Sequence, residues 1–564
     1  MSSQLPRPTP PPPPPSGSAA PAPFSIQQAH AVSQNSSNHP SDTSSPSASI
    51  HRTNGGMNKG PSPPTTLPTK PSGVKSILTA AQVKMQQAYT DMDGEGRVSV
   101  IGVLVLSALS IGTVVMGPSP ENLDVNPDID SGDTAWMLTC TALVLLMTPG
   151  LAFFYGGMVD KKNILYTMFQ SISAIAMVTC LWTFVGFSLA YGETVGHVIG
   201  NPSTFFLYRG VGAQPLKNFG DTIPLGLFSL FELKFAIITP PIISGAFTER
   251  ISYLPYMCFV VLFSIFVYCP IVHAVWHPEG FLRQWGVLDF AGGLAVETAS
   301  GYAALAGSIV FNMTGGGHEL KNNAPHIPFI ILGMSLLWFG WFGFNSGSAF
   351  QANGLAMQSF LNTNCAASAA MLTWLLVDKI RGLKPSVTSA CVGAVVGLVT
   401  ITPACGYVNT GGAFVVGVVG GLLCNICCQA IKDSRHVDDQ LDVFPAHGLG
   451  GTIGVIMTGM LADKNINGDG AWGLFYGGVE LFLKNTAAAV GVAVYTFVVS
   501  YLIFRFLGSV MDLHIHPEVR RLGLDASFHG ESVVRQNRGT FERSLHGVPE
   551  YSKHGSEDNC DEDF

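Results

Sequence analysis

Residues 134–157 read TAWMLTCTALVLLMTPGLAFFYGG, twenty-four consecutive positions without one charged side chain. A helix rises 1.5 Å per residue, so this run reaches ~36 Å, enough to cross a hydrocarbon layer of ~30 Å with some tilt. Ten more apolar segments of similar kind follow, at roughly 164–191, 224–247, 252–275, 289–311, 327–348, 355–377, 387–407, 411–431, 442–461 and 484–507. Backbone groups in lipid must find partners within their own segment, and these segments are too long for the strands of a barrel. The expected fold is an all-α polytopic membrane bundle of eleven spans over residues 134–508, preceded by one extra apolar segment.

Composition agrees. Only 12% of the 564 residues are charged and 47% are hydrophobic, with a mean hydropathy of +0.34. A soluble chain carries about 25% charge to cover its surface, and here lipid must cover the deficit. The net charge of -8, without any basic block, gives no support to a nucleic-acid partner. The eleven cysteines are scattered, mostly through apolar runs, where thiols pack as small hydrophobes. Cys424 and Cys427 have redox spacing but no second pair to complete a metal or redox motif.

Outside the bundle, residues 1–97 are dominated by Pro, Ser, Thr and Gly, too poor in apolar side chains to offset chain entropy, and read as a disordered tail. The run Pro8–Pro15 would sample polyproline II and suits an SH3- or WW-like module, with a plain solvated tail as the alternative. The segment 98–116 lies too far from Met1 for an ordinary signal peptide. It reads as a signal-anchor or extra span, with a cleaved segment as the alternative. Residues 509–564 form a polar tail ending in an acidic run.

Loop charge sets the orientation. One set of loops carries Lys161, Lys162, Arg250, Lys321, Lys379, Arg381, Lys384, Lys432 and Arg435. The other carries only Arg209, Lys217, Arg283, Lys464 and Lys484, although two of its loops are long. The positive-inside rule places the first set in the cytoplasm, and with it both tails if segment 98–116 is retained. The sequon Asn312-Met313-Thr314 then faces inside and is silent.

Polar residues at membrane depth cost several kcal/mol unless paired or hydrated, so they mark function. Asp289 and Glu297 are eight residues apart, ~12 Å along a helix and within ~80° of one face. Asp289 stands at a helix start, where capping the free amides accounts for it. Glu297, two turns deeper, has no such role. His447 sits in a Gly-rich apolar run and is either a core residue bonded to a carbonyl or a proton-handling partner of the buried glutamate. Phe231, Phe235, Trp276 and the run Trp338 to Ser348 concentrate aromatic rings, either as packing and an interfacial belt or as cation-binding faces with Ser348 as acceptor. Glu232 and Lys234 flank the phenylalanines on different faces, and helix geometry alone assigns them no role.

On these residues the chain closely resembles the ammonium transporter family (Amt, fungal Mep and Rh proteins). The resemblance runs from Asp133 to about Glu531 through Asp133-Thr134-Ala135-Trp136-Met137, Pro149 to Gly157, Leu288 to Glu297, Gly340 to Asn345, and Asp438-Asp439 to His447-Gly448. It implies ammonium transport through one narrow pore in each protomer of a homotrimer in the plasma membrane. It assigns Phe231, Trp276 and Ser348 to ammonium recruitment, helped by Asp289, and Phe235 and Phe344 to a stacked gate. His447 would belong to the central histidine pair, with Glu297 where much of the family has histidine, as in some members of the fungal Mep branch. A glutamate–histidine pair cannot relay a proton as two neutral imidazoles do, so a modified relay is expected. No cofactor and no enzymatic activity are expected, since no metal-ligand cluster or nucleophile–base motif accompanies the pair. The remaining alternatives are an ammonium sensor or an Rh-type passive gas channel. The tails are candidate sites for cytoplasmic regulators.

Overall fold

A computed structural model describes residues 94–116, 128–313 and 326–533. The Pro/Ser-rich tail through residue 93, with Pro8–Pro15, lies outside the described residues. So do most of the acidic stretch before Asp133, Thr314 of the sequon, Lys321 and the terminal acidic run.

Among the described residues twelve principal helices occur: α1 (Gly94–Met116), α2 (Ser131–Gly156), α3 (Ile164–Leu181), α4 (Leu225–Ser244), α5 (Tyr253–Phe263), α6 (Ala299–Met313), α7 (Ile327–Gly347), α8 (Gly354–Ile380), α9 (Val387–Ile401), α10 (Thr410–Lys432), α11 (Gly450–Leu461) and α12 (Val479–Val510). α3 continues through a π-turn at Trp182–Gly186, and α5 through one at Ser264–Tyr268 as far as Trp276. Two further π-turns, Gly293–Thr298 and Phe444–Leu449, lead into α6 and α11. The two short strands β1 (Thr194–Val195) and β2 (Ile199–Gly200) pair antiparallel in the loop after α3.

Side-chain caps start several helices where the sequence offers an Asx or Ser residue. Asp130 accepts from the Asp133 amide, Asn353 from Leu355 and Ala356, Ser386 from Ser389, and Asn409 from Gly412.

Each of the eleven expected segments coincides with helix. Among the described residues ten helices, α1 included, are long and apolar enough to cross a membrane. α9 is apolar but shorter, and the segment leading into α11 opens with Pro445 and His447. α1 begins at Gly94, a few residues before the expected Val98, and Val103, Leu104, Ile111, Val114 and Val115 on it are exposed.

The bundle closes by glycine-lined crossings. α2 and α7 run against each other so tightly that a Cβ on Gly333 would strike the Phe154 backbone. Small residues permit such approach where no water is present to drive association.

α4 supplies a ruler for the two ends. The Gln440 amide donates to the Ala246 carbonyl just past its C-terminal end (3.0 Å). Arg250 pairs with Asp438, and the Ile515 amide donates to the Arg250 carbonyl (2.9 Å). Lys162 donates to the Arg521 carbonyl (3.0 Å), and Lys432 pairs with Asp442 (2.7 Å). Lys162 and Arg250 of the basic loop set thus meet the segment after α12.

Candidate functional site

Phe231 and Phe235, four residues apart on α4, present adjacent rings whose centroids are 4.9 Å apart. Phe235 stacks on Phe344 of α7, with centroids 4.1 Å apart at 29°, and meets Trp276 edge-on at 5.8 Å. Phe235 and Phe344 are each 1% exposed, so no open channel passes between them.

On one side of this pair lies an outer cavity of about 440 Å³, bordered by Trp276, Asp289, Ser348, Phe350, Tyr407 and Glu232. Trp276 donates its indole N–H to the Asp289 carbonyl (3.0 Å), which fixes the ring. Ser348 donates to the Phe344 carbonyl (2.9 Å), leaving its hydroxyl oxygen able to accept. Phe231 is fully buried behind the cavity, against Phe235 and against Phe350 at 5.7 Å.

On the other side lies a chamber of about 10 Å³ bordered by Leu151, Ile238, Ile242, Val296, Leu337, Trp341, Phe344 and Val395 among others, and by Glu297 and His447. That is the volume of about one water-sized molecule. Glu297 is 0% and His447 5% exposed. His447 Nδ1 and Glu297 Oε2 are 2.7 Å apart, so one hydrogen bond joins them, with the donor set by which atom carries the proton. Glu297 Oε1 has no hydrogen-bond partner among the described residues.

Two local devices produce that contact. Asp289 accepts the amides of Gly292 (3.0 Å), Gly293 (2.7 Å), Leu294 (2.8 Å) and Ala295 (3.4 Å), which anchors the turn before α6. The turn itself is π rather than the regular helix expected from the spacing, and its extra residue swings Glu297 inward. From the opposite end of α4, Asp439 accepts the amides of Val443 (3.0 Å) and Phe444 (2.7 Å) and anchors the π-turn that carries His447. The spacing from Asp439 to His447 is eight residues, the same as from Asp289 to Glu297. The two turns then cross glycine on glycine. A Cβ on Gly301 would overlap the Gly448 backbone, and one on Gly451 would lie 2.7 Å from Glu297 Cβ.

The structure therefore brings Glu297 and His447 together, stacks Phe235 on Phe344, and sets Trp276, Ser348 and Asp289 around one cavity. Asp289 is almost wholly used as a cap, and Phe231 does not border the cavity. Two residues without an assigned role gain a place. Asp439 is the counterpart of Asp289, and its spacing to His447 was the available signal. Glu232 borders the outer cavity, whereas Lys234, about 200° further round α4, is 8% exposed and points elsewhere.

A polytopic bundle with a partly polar outer cavity, a closed aromatic constriction and a one-molecule chamber holding an acid–base pair is the architecture of a channel-like transporter for a small polar solute. The Ammonium Transporter Family model matches residues 135–534, and the chain belongs to that family. It is 42% identical to the ammonium transporter of Bacillus subtilis (strain 168) over 407 residues, covering 72% of this chain and 99% of that protein. Ammonium transporter 1 of Schizosaccharomyces pombe is 36% identical, covering 76% of this chain and 87% of that one. Among solved structures, Candida albicans Mep2 matches with a TM-score of 0.66 at 31% identity, covering 78% of this chain and 95% of that one. Saccharomyces cerevisiae Mep2 matches at 0.65 and 33%, covering 70% and 92%.

Proposed function

We propose that this protein transports ammonium by taking the ion into the Trp276–Ser348 cavity, passing ammonia between Phe235 and Phe344, and moving the proton separately by way of Glu297 and His447. The observation that carries this reading is the chamber of about 10 Å³ behind the stacked rings, whose ionisable lining is Glu297 hydrogen-bonded to His447.

Energetics favour the division of labour. Removing a small ion from water into an apolar site costs several kcal/mol even after relaxation. Aromatic faces return at most ~2 kcal/mol per contact, so Trp276 and the phenylalanines can gather ammonium but cannot carry it bare through a closed ring pair. Ammonia passes as a neutral molecule of the chamber's size. The proton it leaves needs a carrier, and a carboxylate 2.7 Å from an imidazole can accept it on one side and release it on the other. A second reading uses the same residues: an ionised Glu297 holds a dehydrated cation in mid-pore.

The basic loops support an orientation with both tails in the cytoplasm, where they offer surfaces to regulators. By likeness to the family the protein works as a homotrimer of the plasma membrane, one pore to each protomer, with eleven spans after α1.

The test is uptake of labelled methylammonium, and growth on low ammonium, in cells lacking their own transporters. Saturable uptake competed by ammonium supports the reading. Cells that express the protein at their surface and show neither uptake nor growth overturn it.

A further inference from the structure

We propose that Glu232 is a cation-binding residue of the outer cavity, holding ammonium-type monovalent cations immediately outside the stacked phenylalanines. The inference rests on the transport reading for its purpose, but its evidence is separate.

Glu232 follows Phe231 and precedes Phe235 by three residues on α4, so it stands one helical step from the constriction. It borders the same cavity as Trp276, Ser348 and Asp289 and is only 4% exposed. Its Oε2 is buried without a hydrogen-bond partner. The Tyr191 hydroxyl beside it is a weak donor to this carboxylate, too loosely placed to satisfy Oε2. No ion pair among the described residues includes Glu232.

The other charges around the cavity do not substitute for it. Asp289 is held by four backbone amides and has little acceptor capacity left for a solute. Asp469 is exposed at the rim. Arg283, the cation on the cavity wall, donates to the Trp276 carbonyl. Lys234 is turned about 200° away on α4 and cannot reach Glu232.

A buried carboxylate edge with no partner destabilises the protein unless a donor fills the space. Ammonium and methylammonium bring three or four N–H donors and a single positive charge, and they fit beside one carboxylate and a phenol oxygen. A divalent metal prefers six or more oxygen ligands, which this wall does not offer. The sequence alone gives Glu232 no role, because helix geometry sets it and Lys234 on different faces without saying what either face meets.

The experiment is equilibrium binding of labelled methylammonium to the purified full-length protein in detergent, alongside uptake in transporter-deficient cells. Glu232→Gln keeps shape and removes charge. It should weaken binding and raise the uptake KM about tenfold or more, as expected for losing a charge-assisted contact, with the maximal rate largely kept. Unchanged binding in Glu232→Gln overturns the proposal. If that variant does not fold, Glu232→Asp, which withdraws the carboxylate by one methylene, should weaken binding by a smaller factor, and unchanged binding there overturns it equally. Binding that depends on Glu232 in a protein without uptake would sink the transport reading and leave this one standing.

Discussion

Gly451→Ala probes how the pore pair is held. The added Cβ would lie 2.7 Å from Glu297 Cβ and 2.8 Å from both the Gly293 carbonyl oxygen and the Thr298 amide nitrogen. Ordinary contact begins at 3.4 Å, and two of these three neighbours are backbone atoms with no rotamer to give. α11 and the turn before α6 must therefore part by about 0.6–0.7 Å, the distance needed to restore van der Waals contact. Transmitted to the pair, that shift stretches the 2.7 Å contact between His447 and Glu297 beyond 3.3 Å, where a hydrogen bond is largely spent. Overpacking costs about 1–3 kcal/mol, and a lost hydrogen bond to a charged group about 1.5–3 kcal/mol more. The expected phenotype is a lower thermal midpoint in detergent, read by size-exclusion after heating, and ammonium-evoked current in proteoliposomes reduced about tenfold or more. A Gly451→Ala protein with unaltered midpoint and unaltered current would refute the claim that this crossing sets the pair.

Phe344→Ala removes one ring of the stack and should open a water path between the outer cavity and the chamber, raising the osmotic water permeability of proteoliposomes measured by stopped-flow light scattering. Asp289→Ala leaves four amides without their acceptor and should lower stability by about 1–2 kcal/mol in thermal unfolding, the range of a lost helix cap. The third prediction concerns pH at the end of the bundle where the chain leaves α12. Burial against Phe311 holds the His514 imidazole below its ordinary value of 6.5. The unfolded or undocked segment therefore takes up a proton first, so the stability His514 contributes is full above that value and falls as the pH drops through it. The protection of amides across 511–516, taken as exchange relative to the intrinsic rate at each pH, should fall between pH 7.5 and 5.5, and constant protection would dismiss the idea.

Much of the architecture was legible because lipid enforces it. Uncharged runs such as 134–157 have no stable alternative to helix in hydrocarbon. Glu297 stood out for the same reason, since a carboxylate at membrane depth is costly, whereas His447 read equally as a core histidine bonded to a carbonyl. What escaped was the local geometry that joins them. A π-turn has no side-chain signature, so Gly293–Thr298 reads as ordinary helix in the sequence. The crossing at Gly301, Gly448 and Gly451 needs two segments some 150 residues apart, and one chain gives no means to pair them. Asp439 was readable through its eight-residue spacing to His447. The orientation of Glu232 was not, since whether a carboxylate on α4 faces another helix or a cavity depends on packing around it.

The central claim is that ammonia and its proton part company, with Glu297 and His447 carrying the proton. Current and flux measured together on Glu297→Gln proteoliposomes across a pH series test it most directly. In that variant ammonium-evoked charge movement should be lost while uncharged ammonia flux persists at every pH. A Glu297→Gln protein that carries full ammonium current would contradict both the relay and the alternative in which ionised Glu297 holds the cation.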